Sequence, residues 1–177
     1  MIFHKTKIDG LYIIEPELRI DDRGYYTRLF CKKELLEHGL EFDIMQINRS
    51  VTKKKGTIRG IHFQKEPKSE GKIMQCIKGA IYDVAIDLRK GSSTYGQWIG
   101  EELTEDNNKI LFIPKGFAHG FQTLTDNSLV QYPVSEFYSP EYEDGIRWDD
   151  SLFSITWPLK NPILSDKDRC WPDSTLL

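Results

Sequence analysis

The sequence has no long apolar run and no paired set of cysteines. Nowhere does an uncharged apolar stretch approach the ~20 residues needed to cross a membrane, and residues 1–7 lack an apolar signal core. The three cysteines, Cys31, Cys76 and Cys170, are odd in number, widely scattered and without metal-type spacing. We therefore expect a cytoplasmic protein with unpaired thiols, no membrane partner, and a core role for Cys76.

A basic excess is also absent. The net charge is −3 with both signs interspersed, so the sequence predicts no nucleic-acid partner. The run Lys53, Lys54 and Lys55 is typical of a solvated turn, with help in holding a phosphorylated ligand as the alternative. A chain of 177 residues has the size of one domain, which buries roughly 70% of its unfolded surface. We expect residues 1–177 to form a single domain.

Short segments rich in β-branched and aromatic residues alternate with turn signals. They predict strands at residues 11–15, 24–30, 73–77, 81–88, 109–113 and 129–134. Residues 32–39 predict a helix, and short helical turns are expected after Tyr138 and Leu164. Lys78-Gly79 between two strand-like runs predicts a hairpin. The predicted class is all-β, a jelly roll or related barrel with a few short helices and a ligand pocket at its mouth.

Two segments resemble the two sequence motifs of a cupin-type barrel: Arg-Gly-Ile-His-Phe-Gln at 59–64 and Pro-Lys-Gly-Phe-Ala-His-Gly-Phe at 114–121. Metal-binding cupins present two close histidines and a carboxylate, then a third histidine after the Pro-x-Gly turn. Here Gln64 replaces the second histidine. The sequence therefore predicts no metal and no cofactor, and leaves His62 free to act as a general base.

Strand geometry constrains that first segment. Residues three apart on a strand point to opposite faces, so Arg59 and His62 can share a pocket only if the strand bulges. Gly60 between them is the residue that would permit the bulge.

Six segments in one order resemble the RmlC-type dTDP-4-dehydrorhamnose 3,5-epimerase family over about residues 9–168. They are Arg23-Gly24 after an acidic pair and residues 59–64, 83–89, 113–121, 138–140 and 164–168. The resemblance implies a cupin-type jelly-roll barrel, a homodimer whose partner subunit contributes to the nucleotide site, and an isomerase of surface-polysaccharide synthesis. Its substrate would be a nucleoside-diphosphate 4-keto-6-deoxy sugar, whose C3 and C5 protons are acidified by the C4 carbonyl.

The resemblance also implies roles for individual residues. His62 would be the base, Asp168 would orient its ring, Tyr132 would be the acid on the opposite face, and Lys72 would stabilise the O4 enolate. The blander alternatives are a structural histidine, a solvated carboxylate, a packing tyrosine and a surface lysine. Further residues are expected to bind substrate: Arg23, Arg28, Gln46, Asn48, Arg59, Lys72, His119, Tyr138, Glu143 and Lys167. His119 either touches substrate or pins the turn at residues 114–116.

Three departures from the family pattern concern the nucleotide. Arg19 stands where an aromatic residue is usual, Arg28 replaces a glutamate, and Pro133 replaces a lysine. They indicate a different base, with a GDP-linked 4-keto-6-deoxy-heptose as one substrate. Inversion of C3, C5 or both stays open. The rival functions are a nucleotide-sugar 3,4-ketoisomerase, a metal cupin oxygenase and a non-catalytic nucleotide-sugar-binding cupin.

Overall fold

The computed structural model describes residues 1–174, and strands dominate this part of the chain. The strands are β1 (Ile2–Lys5), β2 (Tyr12–Glu15), β3 (Arg19–Asp21), β4 (Gly24–Tyr26), β5 (Gln46–Thr52), β6 (Ile58–Gln64), β7 (Lys72–Lys78), β8 (Ala80–Asp87), β9 (Trp98–Thr104), β10 (Ile110–Ile113), β11 (Phe117–Thr123), β12 (Ser128–Val134) and β13 (Glu143–Gly145). The helices are α1 (Lys32–Glu37) and α2 (Asp166–Arg169), with a 3₁₀ turn at Pro140–Tyr142. None of these helices is long and apolar enough to span a membrane.

Two antiparallel sheets form a jelly roll, which confirms the predicted all-β class. The six-stranded sheet has the order β1-β2-β10-β7-β12-β5, and the five-stranded sheet has the order β13-β6-β11-β8-β9. Strands β3 and β4 pair with each other as a separate two-stranded hairpin.

The apolar core lies between the two sheets, and a second apolar layer covers the outside of each. Strand β8 shows the reason: Ile81 and Ala85 belong to the central core, whereas Val84 and Ile86 pack outward with Phe153. Alternate side chains of a strand point to opposite faces, so a strand covered on both faces is apolar almost throughout. Apolar residues on both faces, interrupted only by Asp83 and Asp87, are the pattern by which residues 81–88 were predicted as a strand.

The predicted hairpin at Lys78-Gly79 is wrong. Strand β7 belongs to the six-stranded sheet and β8 to the five-stranded sheet, so the chain changes sheets at this corner. Gly79 has φ +77°, and a Cβ there would lie 2.3 Å from the Thr125 hydroxyl. A turn signal locates the change of direction but does not say which strand becomes the partner.

The other predicted elements are close to those observed. The helix over 32–39 ends at Glu37, with Gly39 at φ +73° just beyond it, and the strand expected over 24–30 ends at Tyr26. Both late helical turns are present. The segment after Trp157 crosses the five-stranded sheet, where the Gln122 amide exchanges two hydrogen bonds with the backbone of Leu159.

Candidate active site

The inward-facing positions of the barrel change from apolar to polar toward one end. On β12, Val130 lies in the central core and Tyr132 is the next inward position. On β7, Met74 lies in the core and Lys72 is the next inward position toward the start of the strand. The same alternation that builds the core therefore delivers a phenol and an ammonium group to one cavity, which both residues line.

A bulge in β6 delivers two more polar groups to that cavity. His119 of β11 is opposite His62, but Phe121 is opposite Arg59, so three residues of β6 span the length of two on β11. Arg59 and His62 consequently line the same cavity. Gly60 has φ +116°, and a Cβ there would lie 2.6 Å from the Cα of Gly120. The expected bulge at Gly60 is thus present, because only glycine tolerates that backbone and that approach.

His62 is hydrogen-bonded to a carboxylate from the far end of the chain. The His62 Nε2 lies 2.6 Å from Asp168 Oδ1. Asp168 sits on α2, whose N-cap residue Ser165 accepts a hydrogen bond from the Asp168 backbone N–H. A carboxylate only accepts, so the Nε2 of His62 carries the proton of this bond, and in the neutral ring Nδ1 is the proton acceptor. The pair is therefore poised to remove a proton with the second ring nitrogen.

Asp168 is buried, being 5% exposed, yet it stays ionised. Burial is the largest influence and raises the pKa of this carboxyl, but the hydrogen bond and the charge of His62, with the Ser165 contact, outweigh it and leave the pKa below its ordinary value. An ionised partner stabilises the imidazolium that forms when His62 accepts a proton.

Lys72 is also buried and has a carboxylate partner. Its Nζ lies 2.8 Å from Glu70 Oε1, and both side chains are largely hidden from solvent.

The phenol of Tyr132 has a raised pKa. Burial is the largest cause and the negative charge of Glu70 the second, and the positive charge of Arg59 offsets part of the increase. The phenol is therefore protonated through the neutral range and available as a donor. Glu70 was missed in the sequence; its spacing of two residues before Lys72 was the available signal.

His119 forms a second histidine–carboxylate pair. Its Nε2 lies 2.6 Å from Asp83 Oδ1, and Asp83 is fully buried on β8. The turn at 114–116 is held by Ser69 instead, whose hydroxyl accepts from the Gly116 N–H. His119 also lines the cavity. Asp83 was missed as a site residue, although a carboxylate in the middle of an apolar strand is the signal that marks it.

A chain of polar contacts surrounds the cavity on the side of β13. The Tyr138 hydroxyl donates to Glu143 Oε2 at 2.7 Å, and Lys167 Nζ lies 2.7 Å from Glu143 Oε1. Burial tends to raise the pKa of Glu143, but these two partners lower it overall. The Gln46 side chain accepts from the Tyr138 N–H, and Asn48 lines the same cavity.

Gln64 stands at the position of the missing histidine, and its side-chain amide is hydrogen-bonded to backbone groups. Its amide donates to the carbonyls of Lys68 and Phe137 and accepts from the Ser139 N–H. Across residues 1–174, no three His, Cys, Asp or Glu side chains converge as a metal site requires.

Two predicted substrate residues lie outside this cavity within one chain. Arg23 is in the turn of the β3–β4 hairpin, is almost fully exposed and contacts Asp21. Arg28 contacts Glu34 and lines a separate hollow with Arg19. The structure brings together His62, Tyr132, Asp168, Lys72, Gln46, Asn48, Arg59, His119, Tyr138, Glu143 and Lys167.

The space between these residues consists of two adjoining cavities of about 320 and 280 Å³, which share His62, Lys72 and Tyr132. A more open hollow of about 580 Å³ follows the edge strand β9, but Lys7 is the one charged residue that lines it. Acid–base chemistry needs several converging titratable groups, so the paired cavities form the candidate active site. Fold and site together define a cupin-type jelly-roll protein with a histidine–carboxylate acid–base site.

Comparison with known proteins identifies the family. Residues 5–175 match the family described as dTDP-4-dehydrorhamnose 3,5-epimerase, and the chain belongs to it. A relative of that name from Methanothermobacter thermautotrophicus is 48% identical over 172 residues, covering 96% of this chain and 92% of the relative.

Solved structures agree with this assignment. The Bacillus anthracis dTDP-4-dehydrorhamnose 3,5-epimerase with TDP and PPi bound has a TM-score of 0.94 and 46% identity, covering 97% of this chain and 98% of that one. A 3'-monoepimerase from Streptomyces bikiniensis in complex with dTDP-quinovose has a TM-score of 0.85 and 32% identity, covering 93% and 84%. The predictions of a cupin-type fold, an isomerase and this family are confirmed.

Proposed function

We propose that this protein inverts C3 and C5 of a dTDP-linked 4-keto-6-deoxy sugar through an enolate, and that the residues of the paired cavities carry out the reaction. The observation that carries the proposal is the pairing of His62 with an ionised Asp168 in the same cavity as Tyr132 and Lys72.

The chemistry requires a base, an acid and a counter-charge. His62 Nδ1 takes the proton from the carbon beside the carbonyl, and the electron pair of the broken C–H bond moves to O4 as the enolate forms. The Lys72 ammonium stabilises the negative charge on O4. Tyr132 then donates its proton to the opposite face of the carbon, the electron pair returns from O4, and the centre is inverted. The raised pKa of Tyr132 keeps this donor loaded.

Binding is assigned to the surrounding polar groups. Arg59 is pre-oriented for phosphate, because its Nε donates to the Thr52 hydroxyl at 2.9 Å. The remaining substrate contacts are assigned to Gln46, Asn48, His119, Tyr138, Glu143 and Lys167. Of these, Lys167 and Tyr138 are already fixed on Glu143, so Lys167 presents its remaining N–H donors and Tyr138 its hydroxyl oxygen as an acceptor without further ordering.

The thymidine nucleotide is favoured by the relatives, whose names refer to a dTDP sugar. The GDP-linked heptose predicted from Arg19, Arg28 and Pro133 stays a prediction. In this chain Arg28 is engaged by Glu34, and Pro133 lies opposite Ile47 on the edge pair of the sheet.

A homodimer accounts for apolar side chains that are exposed in the single chain. The exposed face of the edge strand β5 carries Ile47 and Val51, and the β3–β4 hairpin exposes Ile20 and Tyr25. Exposed apolar groups on an edge strand and a free hairpin favour pairing with a second copy. That pairing would take the hairpin residue Arg23 to the partner's nucleotide site. Light scattering checks the mass, and a monomer at micromolar concentration contradicts this part.

We also propose that residues 1–177 act as one domain, in the cytoplasm, in the synthesis of surface polysaccharide. The free state of Cys31, Cys76 and Cys170 supports the compartment. Digestion by a protease at low concentration tests the domain assignment, since one resistant fragment is expected.

Proton NMR in deuterium oxide tests the reaction. The enzyme is added to dTDP- and GDP-linked 4-keto-6-deoxy sugars, and deuterium is followed at C3 and C5. Exchange at both carbons of the dTDP sugar with inverted products is the expected result. Exchange at one carbon would make the protein a single-centre epimerase, a shifted carbonyl would indicate the ketoisomerase, and binding without exchange would indicate the non-catalytic module.

A further inference from the structure

Trp171 contacts the general base but has no role in the chemistry described above. Its ring lies edge-to-face with the His62 imidazole, with centroids 6.0 Å apart and planes at 67°. The Lys167 ammonium lies 5.7 Å from the centre of the indole. Asp168 and Trp171, three positions apart, therefore both reach His62: Asp168 through a hydrogen bond and Trp171 through a ring contact.

The space that the Trp171 indole fills lies over Gly145 of the neighbouring strand β13. Gly145 of β13 is the cross-strand partner of His62, and a Cβ on Gly145 would lie 2.2 Å from Trp171 Cε2. Gly145 does not have a positive φ, so backbone conformation does not require glycine there. The space for the indole is what a side chain at position 145 would remove.

The helix that carries Asp168 depends on tertiary contacts for its position. Helix α2 has four residues, which is too short to be stable without tertiary contacts. Beyond it, Arg147 contacts Asp173 at 2.6 Å, and the Ser174 N–H donates to Asp150 at 2.7 Å. Between α2 and these two polar contacts, Trp171 supplies an apolar contact with the barrel wall.

The indole N–H shows that this packing is not simply optimised for stability. Trp171 Nε1 is buried and has no hydrogen-bond partner within residues 1–174. Leaving a buried donor unpaired is unfavourable, whereas the N–H groups of Trp98 and Trp157 donate to backbone carbonyls. The ring is therefore held by its fit between Gly145 and His62 and not by a hydrogen bond of its N–H.

We propose that Trp171 is a positioning residue for the general base: wedged between Gly145 and His62, it fixes the imidazole and α2 so that Asp168 stays on His62 Nε2. The inference rests on the proposed function of His62. A misplacement of about 1 Å in a catalytic group lowers the rate by about 100-fold, so the expected effect is on turnover and not on nucleotide binding.

Four variants test the wedge: Trp171→Ala, Trp171→Phe, Gly145→Ala and the double variant Gly145→Ala/Trp171→Ala. Trp157→Phe is the control, because its indole packs against Tyr82 away from the cavity. We expect kcat to fall by about 10- to 100-fold in Trp171→Ala, less in Trp171→Phe, and little in the control. Binding of dTDP should change by less than about twofold in all of them.

The double variant gives the sharpest outcome. If the alanine at 145 acts by displacing the indole, Gly145→Ala lowers kcat as Trp171→Ala does, and the double variant is no worse than either. Multiplicative losses, or a Trp171→Ala enzyme with wild-type kcat, would overturn the proposal.

A readout without substrate separates this inference from the proposed function. We expect the Nε2 proton that His62 donates to Asp168 to give a downfield NMR signal, which is assigned by its loss in Asp168→Ala. We expect it to be lost or broadened in Trp171→Ala and Gly145→Ala and retained in Trp157→Phe. If the wild-type enzyme exchanges no sugar proton, the proposed function fails while this test still stands. A sharp signal in Trp171→Ala contradicts the positioning role alone.

Discussion

His62 and His119 lie directly opposite each other on neighbouring strands, and each has its Nε2 2.6 Å from a carboxylate. Their surroundings differ: the His62 side chain is 31% exposed and that of His119 is 8% exposed. Asp83, the partner of His119, also has a buried oxygen with no hydrogen-bond partner in the described chain. The accessible pair suits proton transfer with a substrate, and the buried pair suits a fixed contact.

Replacing the two histidines by asparagine should separate these roles. His62→Asn removes the base, so deuterium exchange at both carbons should fall by at least about 100-fold, a typical loss for general-base catalysis. His119→Asn leaves the base in place, so the main change should be a higher KM. Exchange followed by NMR and steady-state kinetics give both quantities. Unchanged exchange in His62→Asn would contradict the mechanism.

Tyr132→Phe removes the donor but keeps the ring that packs against the central core. We expect this variant to retain proton abstraction and to lose productive inversion, because it has no proton donor on the face of the sugar carbon opposite His62. The measurement compares the deuterium content of recovered substrate with the amount of inverted product. Inversion at the wild-type rate would exclude Tyr132 as the acid.

Glu70→Gln should move the alkaline limb of the kcat profile to lower pH. The carboxylate of Glu70 helps to raise the pKa of Tyr132, so its removal lowers that pKa, while burial still keeps it above the ordinary value. The variant also leaves Lys72 buried without its partner, so kcat should fall. Glu136→Gln, at a partly exposed ion pair with Lys68, is the control. An unshifted limb would mean that Tyr132 does not titrate there.

Gly60→Ala tests the bulge, with Gly24→Ala as a matched control. Both glycines have positive φ, +116° and +124°, but a Cβ at Gly60 meets the backbone of Gly120, and one at Gly24 meets nothing within 4 Å. Backbone strain costs of order 1–3 kcal/mol at either site. The clash adds to it at Gly60 alone, so denaturant unfolding should show the larger loss there. Equal losses would show that the close approach is not needed.

Cys76 should make stability fall at alkaline pH. Burial raises the pKa of this thiol from 9.0 to about 11. The unfolded chain therefore releases the proton first, and the free energy of unfolding declines as pH rises from about 9 to about 11, by up to about 2–3 kcal/mol. Cys76→Ala should lose this part of the decline, and Cys170→Ala, at an exposed thiol, should keep it. Identical slopes in all three proteins would contradict the prediction.

Local patterns in the sequence predicted six of the strands, because strand-type composition is a property of a few consecutive residues, whereas Lys72 and Tyr132 were named through the family resemblance. Local patterns failed at Gly79, where the choice of sheet depends on strands distant in sequence. Glu70, Asp83 and Trp171 were missed for a related reason: each matters through the neighbour that folding gives it. Asp168 was named only through the family resemblance, since nothing near it in sequence points to His62.

The His62–Asp168 pair joins residues 106 positions apart. A chain that has folded its two sheets but has not yet docked α2 has a barrel, a cavity and an imidazole, and no working base. Helix α2 has four residues and needs contacts with the finished barrel to be stable, so it docks after the sheets have formed. Recovery of turnover after dilution from denaturant should therefore lag behind the return of the β-sheet circular dichroism signal. The rate at which activity returns would then measure the docking of α2, the last step of folding.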